Sequence, residues 1–265
     1  DIHRGESLAI VGESGSGKSV FTKTFLGMLD SNGKIDSGHI FFRDRDKDGN
    51  EKIVDLSTYA TEKEWLTIRG KQIAMIMQDP MTSLNPLKTI GHQLEETVLL
   101  HRDVSKEEAH KRAVELLTDV GINDPERRCK QYPHEFSGGM RQRVAFLRTA
   151  LIGSDIMLLD EPFSALDALT RREMRAWLMS SVKEFGFSVL VITHDVDEAV
   201  AMASRIYVMA GSPAQGVVTK IVGFVEPQNC VETVDADSSQ DADLASFDLS
   251  DEFLAAKREV LSLLG

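Results

Sequence analysis

Residues 12–20 read GESGSGKSV and lie between two apolar runs. Gly12, Gly17, Lys18 and Ser19 fit the spacing G-x-x-x-x-G-K-[ST]. In such a loop the backbone N–H groups of Gly12, Glu13, Ser14, Gly15, Ser16, Gly17, Lys18, Ser19 and Val20 can converge on phosphate oxygens. A helix beginning at Lys18 adds its positive end. Lys18 is placed to reach β- and γ-phosphates, and Ser19 to ligate Mg²⁺. A second group, DIMLLDEP (155–162), sets Asp160 and Glu161 at the exit of an apolar run. Beside a phosphate loop, the first acid holds Mg²⁺ through water. The second, Glu161, is expected to polarise an attacking water as general base. A chance glycine-rich turn competes as an explanation of the loop taken alone; the acid pair in a matching context argues against it.

These groups need a scaffold that delivers them to one edge. SLAIVG (7–12), KQIAMIMQ (71–78), DIMLLDEP (155–162), SVLVITHD (188–195) and RIYVMAG (205–211) read as short buried strands, with HIFF (39–42) as a further strand before a polar turn over 43–52. Helical periodicity appears over 18–29, 105–121, 137–153, 170–186 and 196–204. Ser105 and Glu108 form a capping-box pair at the start of the second of these. Strands alternating with helices predict a mainly parallel sheet covered on both faces. The helical block from about 90 to 145 interrupts the alternation and reads as an inserted subdomain. The expected organisation is a catalytic domain over 1–220, an acidic linker over 221–250 and an amphipathic helix over 251–265.

Composition narrows the classes. Hydrophobic residues make up 42% and charged residues 27%, as in a globular protein with a sizeable core. No apolar run reaches the ~18 residues of a membrane span, and DIHRGE does not resemble a secretory signal. Cys129 and Cys230 are the only cysteines, too few for a disulfide framework or a cysteine-rich metal site. The net charge of −12 argues against nucleic acid as a partner. Nine acids and no Lys or Arg lie between residues 221 and 256, which reads as a solvated linker.

SGGMRQR (137–143), lying between the phosphate loop and LLDEP, resembles the signature motif of ATP-binding-cassette (ABC) ATPases. Gln78 in IMQDP resembles the family's Q-loop, SALD (164–167) its D-loop, and His194 in ITHD its switch histidine. The resemblance covers about residues 1–216. It implies an α/β P-loop ATPase core with a mainly parallel sheet, an antiparallel β edge and the inserted helical subdomain. It also implies a head-to-tail pair of cassettes, identical or not. ATP with Mg²⁺ would then sit on one phosphate loop and be closed over by Ser137, Gly138 and Gly139 of the other subunit. Asp167 would cross that interface. His194 would hold the γ-phosphate and the surroundings of the attacking water. Gln78 would sense Mg²⁺ and water and pass that state to a partner.

By the same resemblance the chain works with integral membrane permease subunits, and indirectly with an extracytoplasmic solute-binding protein, from the cytoplasmic face of the membrane as a peripheral subunit. Two departures stand out. The earlier family strand, whose aromatic residue stacks on adenine, is not in the sequence; the expectation is a truncated N-terminus. And the likeness is mixed. GESGSGKSVFTKTFLGML, QDPMTSLNPLKTIGHQLEE and YPHEFSGGMRQRV resemble oligopeptide/dipeptide importer ATPases. From about Ala145 onward the sequence resembles nitrate/sulfonate/taurine or thiamine-precursor importer ATPases. The peptide-like parts are those that face membrane subunits in such importers, so the expected solute is a peptide.

Two other classes compete. A soluble cassette ATPase of DNA repair, chromosome maintenance or translation usually carries a long coiled coil or two cassettes, and neither is present. A P-loop kinase or GTPase is opposed by SGGMRQR, by the paired acids and by the lack of an N-K-x-D motif.

Overall fold

A computed structural model describes residues 1–45, 50–77, 84–101, 103–164, 166–210, 220–225 and 251–264. Its centre is a six-stranded sheet in the order β4-β5-β6-β1-β7-β8. The strands are β1 (Ser7–Gly12), β4 (Ile73–Ile76), β5 (Ile156–Asp160), β6 (Ser188–Thr193), β7 (Arg205–Ala210) and β8 (Lys220–Val225). The first five are mutually parallel, and β8 closes the edge antiparallel to β7. A separate antiparallel hairpin pairs β2 (Phe41–Arg45) with β3 (Glu51–Asp55).

Alternation along β1 shows why the sheet is buried on both faces. Leu8 and Ile10 join Leu26, Trp65, Ile68, Leu158 and Leu190 on one side. Ala9 and Val11 face Ala199, Val200, Ile206 and Val208 on the other. Such strands read as continuous apolar runs because neither face meets water. The covering helices are α1 (Lys18–Thr24), α2 (Glu62–Ile68), α7 (Ala168–Phe185), α8 (Val196–Met202) and α9 (Asp251–Leu264). Phe253, Ala256 and Val260 of α9 pack into the α8–β7 cluster, and Lys257 pairs with Asp197 at 2.5 Å.

The helical lobe comprises α3 (Ile90–His101), α4 (Lys106–Asp119), α5 (Pro125–Cys129) and the start of α6 (Gly138–Leu151). Its own core holds Ile90, Leu94, Leu116, Leu117 and Val144. Two residues on and on the opposite face of α6, Phe146 instead enters the sheet-side core with Met157, Leu159 and Met174. A single helix therefore spans the lobe and the sheet. Ser105 accepts from the Glu108 N–H and Glu108 accepts from the Ser105 N–H, the reciprocal cap expected for α4.

Three elements differ from the sequence expectation. The helix read over 18–29 ends at Thr24. Gly27 adopts φ 58°, and a Cβ there would lie 2.1 Å from the Trp65 ring, so the chain must turn away. Arg69 secures the turn by donating to the carbonyls of Leu26 (2.6 Å) and Gly27 (3.0 Å). The polar turn read over 43–52 is instead largely strand: Arg43 to Arg45 belong to β2, Glu51 and Lys52 to β3. The first five residues assigned to the acidic linker, 221–225, belong to β8; residues 226–250 lie outside those described.

Candidate functional site

β1, β5 and β6 are neighbours, and each delivers a site residue from the same end. Val11 pairs with Thr193 and Asp160 with Ile192, so Gly12, Glu161 and His194 leave the sheet on adjacent rungs. Parallel strands bind ligands at their carboxyl ends for this reason.

The phosphate loop turns through Gly15 and Gly17, at φ 83° and 91°. Gly12 is fixed by packing as well: a Cβ would lie 2.5 Å from the Met209 carbonyl oxygen. Lys18, 5% exposed, donates from Nζ to the carbonyls of Gly12 and Glu13, both at 2.7 Å. The ammonium is thereby held over the loop, on the track a triphosphate would follow. Burial lowers the Lys18 pKa, opposed by the negative charges of Glu161, Asp160 and Glu13.

Ser19 donates its hydroxyl to Asp160 Oδ1 at 2.9 Å. Asp160 is 6% exposed. Burial raises its pKa, with Glu161 adding to the rise and Ser19, Lys18 and Lys23 opposing it. A buried carboxylate beside a hydroxyl offers two hard oxygens, the donor type Mg²⁺ takes. Among the described residues no group of three or more His, Cys, Asp and Glu is placed to hold a metal.

Glu161 is held in the left-handed region at φ 46°, uncommon for a residue with a side chain. Its N–H donates to the Ile192 carbonyl at 2.8 Å, and its own carbonyl accepts from the Ser164 hydroxyl at 3.0 Å. Such backbone costs about 1–3 kcal/mol and persists where neighbours over-determine it. The conformation turns the carboxylate toward the next strand, where His194 Nδ1 lies 3.1 Å from Glu161 Oε1. The Glu161 side chain is 16% exposed and that of His194 55%. The arrangement can orient and deprotonate a water over the loop.

Ser137 caps α6, its Oγ accepting from the Met140 N–H at 3.3 Å. Gly138 has open space where a Cβ would go, whereas a Cβ on Gly139 would lie 2.5 Å from Thr170 Cγ2. Thr170 in turn donates to Asp167 from its N–H (3.0 Å) and hydroxyl (2.7 Å). Those bonds lower the Asp167 pKa. Ser137, Gly139 and Asp167 thus form one contiguous surface. Gln142, 3% exposed, donates its side-chain amide to the Pro162 carbonyl and ties α6 to the loop after Glu161. Sequence reasoning missed Gln142 and Thr170, because both act through contacts distant in the chain. Of the other residues singled out from sequence, Gln78 lies outside those described.

A protein-family model described as ABC transporter matches residues 1–164. The oligopeptide transport ATP-binding protein AmiE of Streptococcus pneumoniae is 41% identical over 231 residues, 86% of this chain and 62% of the relative. The dipeptide transport ATP-binding protein DppD of Bacillus subtilis is 40% identical over 230 residues, 86% of this chain and 66% of the relative. The chain thus spans less than two thirds of the length of these relatives. Likeness to the peptide group over 231 residues runs well beyond Ala145. Among solved structures, the ATP-binding cassette MJ0796, a dimer in a post-hydrolysis state bound to ADP and Pi, is 29% identical, with TM-score 0.62 over 78% of this chain and 82% of its own. The cbiO1 protein of Clostridium perfringens shares the fold, at TM-score 0.65 and 20% identity over 98% of this chain and 89% of its own.

Proposed function

Because this chain belongs to the ABC transporter family, we propose that it is an ATP-binding and ATP-hydrolysing subunit of a membrane importer, and that the importer carries oligopeptides or dipeptides. The observation that carries the ATPase reading is the convergence of Lys18, the Ser19–Asp160 pair and the Glu161–His194 pair at the carboxyl ends of β1, β5 and β6. The solute class rests on relatives named as oligopeptide and dipeptide transport proteins, at about two-fifths identity.

Gly12–Val20 supplies N–H donors to the phosphates, and Lys18 exchanges its carbonyl partners for phosphate oxygens. Ser19 and Asp160 would hold Mg²⁺, which would supply neutralisation of phosphate charge. Glu161 takes the proton of the attacking water, and His194 fixes the carboxylate and the terminal phosphate relative to one another. Ser137 is exposed and Gly138 and Gly139 are half-buried at the start of α6, where N–H groups and the helix dipole suit a phosphate presented by a second cassette. Asp167 lies beside them and faces the same partner. Gln78 reports the state of the site to permease subunits.

No helix among the described residues is long and apolar enough to cross a membrane. On the importer reading, the chain acts as a peripheral subunit at the cytoplasmic face, paired with a second cassette. The test is reconstitution with the permease subunits of a peptide importer and a peptide-binding protein, in vesicles loaded with ATP and Mg²⁺. Peptide accumulation that requires hydrolysis supports the reading. ATP turnover indifferent to permease and peptide would remove the transport role.

A further inference from the structure

Arg171 sits in the first turn of α7, four residues after Asp167, and its guanidinium forks between two loops. Nη2 donates to the Leu166 carbonyl at 3.1 Å. Nη1 donates to Asp195 Oδ2 at 3.1 Å, and Nε lies 3.7 Å from Glu198 Oε1. The first contact is on the loop that carries Asp167. The other two surround the loop that carries His194.

The second loop is a closed circuit. Glu198, its side chain 4% exposed, accepts from the Thr193 hydroxyl at 2.7 Å. That hydroxyl accepts from the Asp195 N–H at 2.9 Å. Asp195 caps α8, accepting from the N–H groups of Asp197 and Glu198. Both neighbours of His194 therefore have their side chains bound, and Arg171 closes the ring from outside. A planar fork with fixed donors can do this; a single ammonium cannot reach both loops at once.

We propose that Arg171 is a positioning residue that joins the Asp167 loop to the His194 loop, so that placement of Asp167 against a second cassette sets where His194 stands over the phosphate. The inference rests on the ATPase reading above. Arg171 is not itself assigned a reacting role. Its contacts are instead with the carbonyl preceding Asp167 and with the residue following His194. A surface ion pair of the same charges would stabilise α7 against α8 and nothing more; the Leu166 contact is what gives the pair a second loop to report on.

The test is steady-state hydrolysis by the full chain, with ATP affinity measured separately. Arg171→Met is expected to lower kcat about tenfold or more while ATP affinity stays within about twofold, because a misplacement of about 1 Å near reacting atoms has that effect. Asp195→Asn keeps the helix cap but loses the charge that Arg171 meets, and is expected to reproduce the loss in kcat. Arg171→Lys is expected to keep Tm but not kcat; recovery of kcat by lysine would overturn the two-loop tie. In a His194→Ala background, Arg171→Met is expected to have no further effect, and a full additional loss there would overturn the route through His194. Unchanged kcat in both Arg171→Met and Asp195→Asn, with normal turnover by the unsubstituted chain, overturns the inference alone. Absence of Mg²⁺-dependent turnover in the unsubstituted chain overturns the ATPase reading, and the inference with it.

Discussion

The Ser19 hydroxyl and Asp160 Oδ1 stand 2.9 Å apart, bridging the phosphate loop to the neighbouring element of the site, with Asp160 almost wholly buried. Burial raises the Asp160 pKa above its ordinary 3.8. The native state thus retains this proton at pH values where the unfolded chain has released it. The carboxyl's favourable contribution is present below the unfolded pKa and is lost as pH rises through the raised folded value. Above that folded value the ionised group is a cost to the nucleotide-free fold. Asp160→Asn should therefore raise the Tm of the nucleotide-free chain at pH 7 by about 2–4 °C while abolishing Mg²⁺-dependent hydrolysis. Calorimetry against pH should show the difference shrinking as pH falls toward about 4.

Glu161→Gln removes the base and leaves the shape of the site. Hydrolysis should slow by about 10²- to 10⁴-fold with ATP affinity preserved. The substituted chain should then accumulate as an ATP-bound pair, visible by light scattering. Phosphate release at the unsubstituted rate would exclude Glu161 as the base.

Lys18→Ala should weaken ATP binding by about 10- to 100-fold, the range for losing hydrogen bonds from a charged donor. Addition of ATP with Mg²⁺ should raise the Tm of the unsubstituted chain and shift the substituted one little. Equal shifts would mean the loop is not the phosphate cradle.

Gly139→Ala places a Cβ 2.5 Å from Thr170 Cγ2. The strain should lower stability by about 1–3 kcal/mol, as overpacking does. Thr170→Ser removes that methyl and keeps the hydroxyl bound to Asp167, so the double substitution should recover most of the loss in a denaturant titration.

The buried strands were legible because their apolar runs match a sheet covered on both faces, and the phosphate loop and the acid pair stood out because each follows such a run. The losses have physical causes. The alternating charges around 43–52 hid strand residues: Arg43 to Arg45 pair with Glu51 to Ile53 in an antiparallel ladder. Thr61 and Glu64 form a full capping box that marks α2, a signal present in TEKEW but overlooked. KIVGFV is strand-like, yet the acids that follow it drew the segment into the linker. Gln142 meets Pro162, Thr170 meets Gly139 and Arg171 meets Asp195 across elements that only the fold brings near, so these contacts carry no local signature. For Gln78, the Q-loop assignment rests on sequence.

The lateral spacing of Gly12, Glu161 and His194 is set by main-chain ladders between β1, β6 and β5. Those ladders are indifferent to side-chain identity. The strand-to-strand part of the geometry is therefore gauged by a ruler that substitutions elsewhere do not stretch, while side-chain ties such as that of Arg171 set the loops beyond it. Surfaces of the helical lobe can drift in sequence without moving the three strand ends.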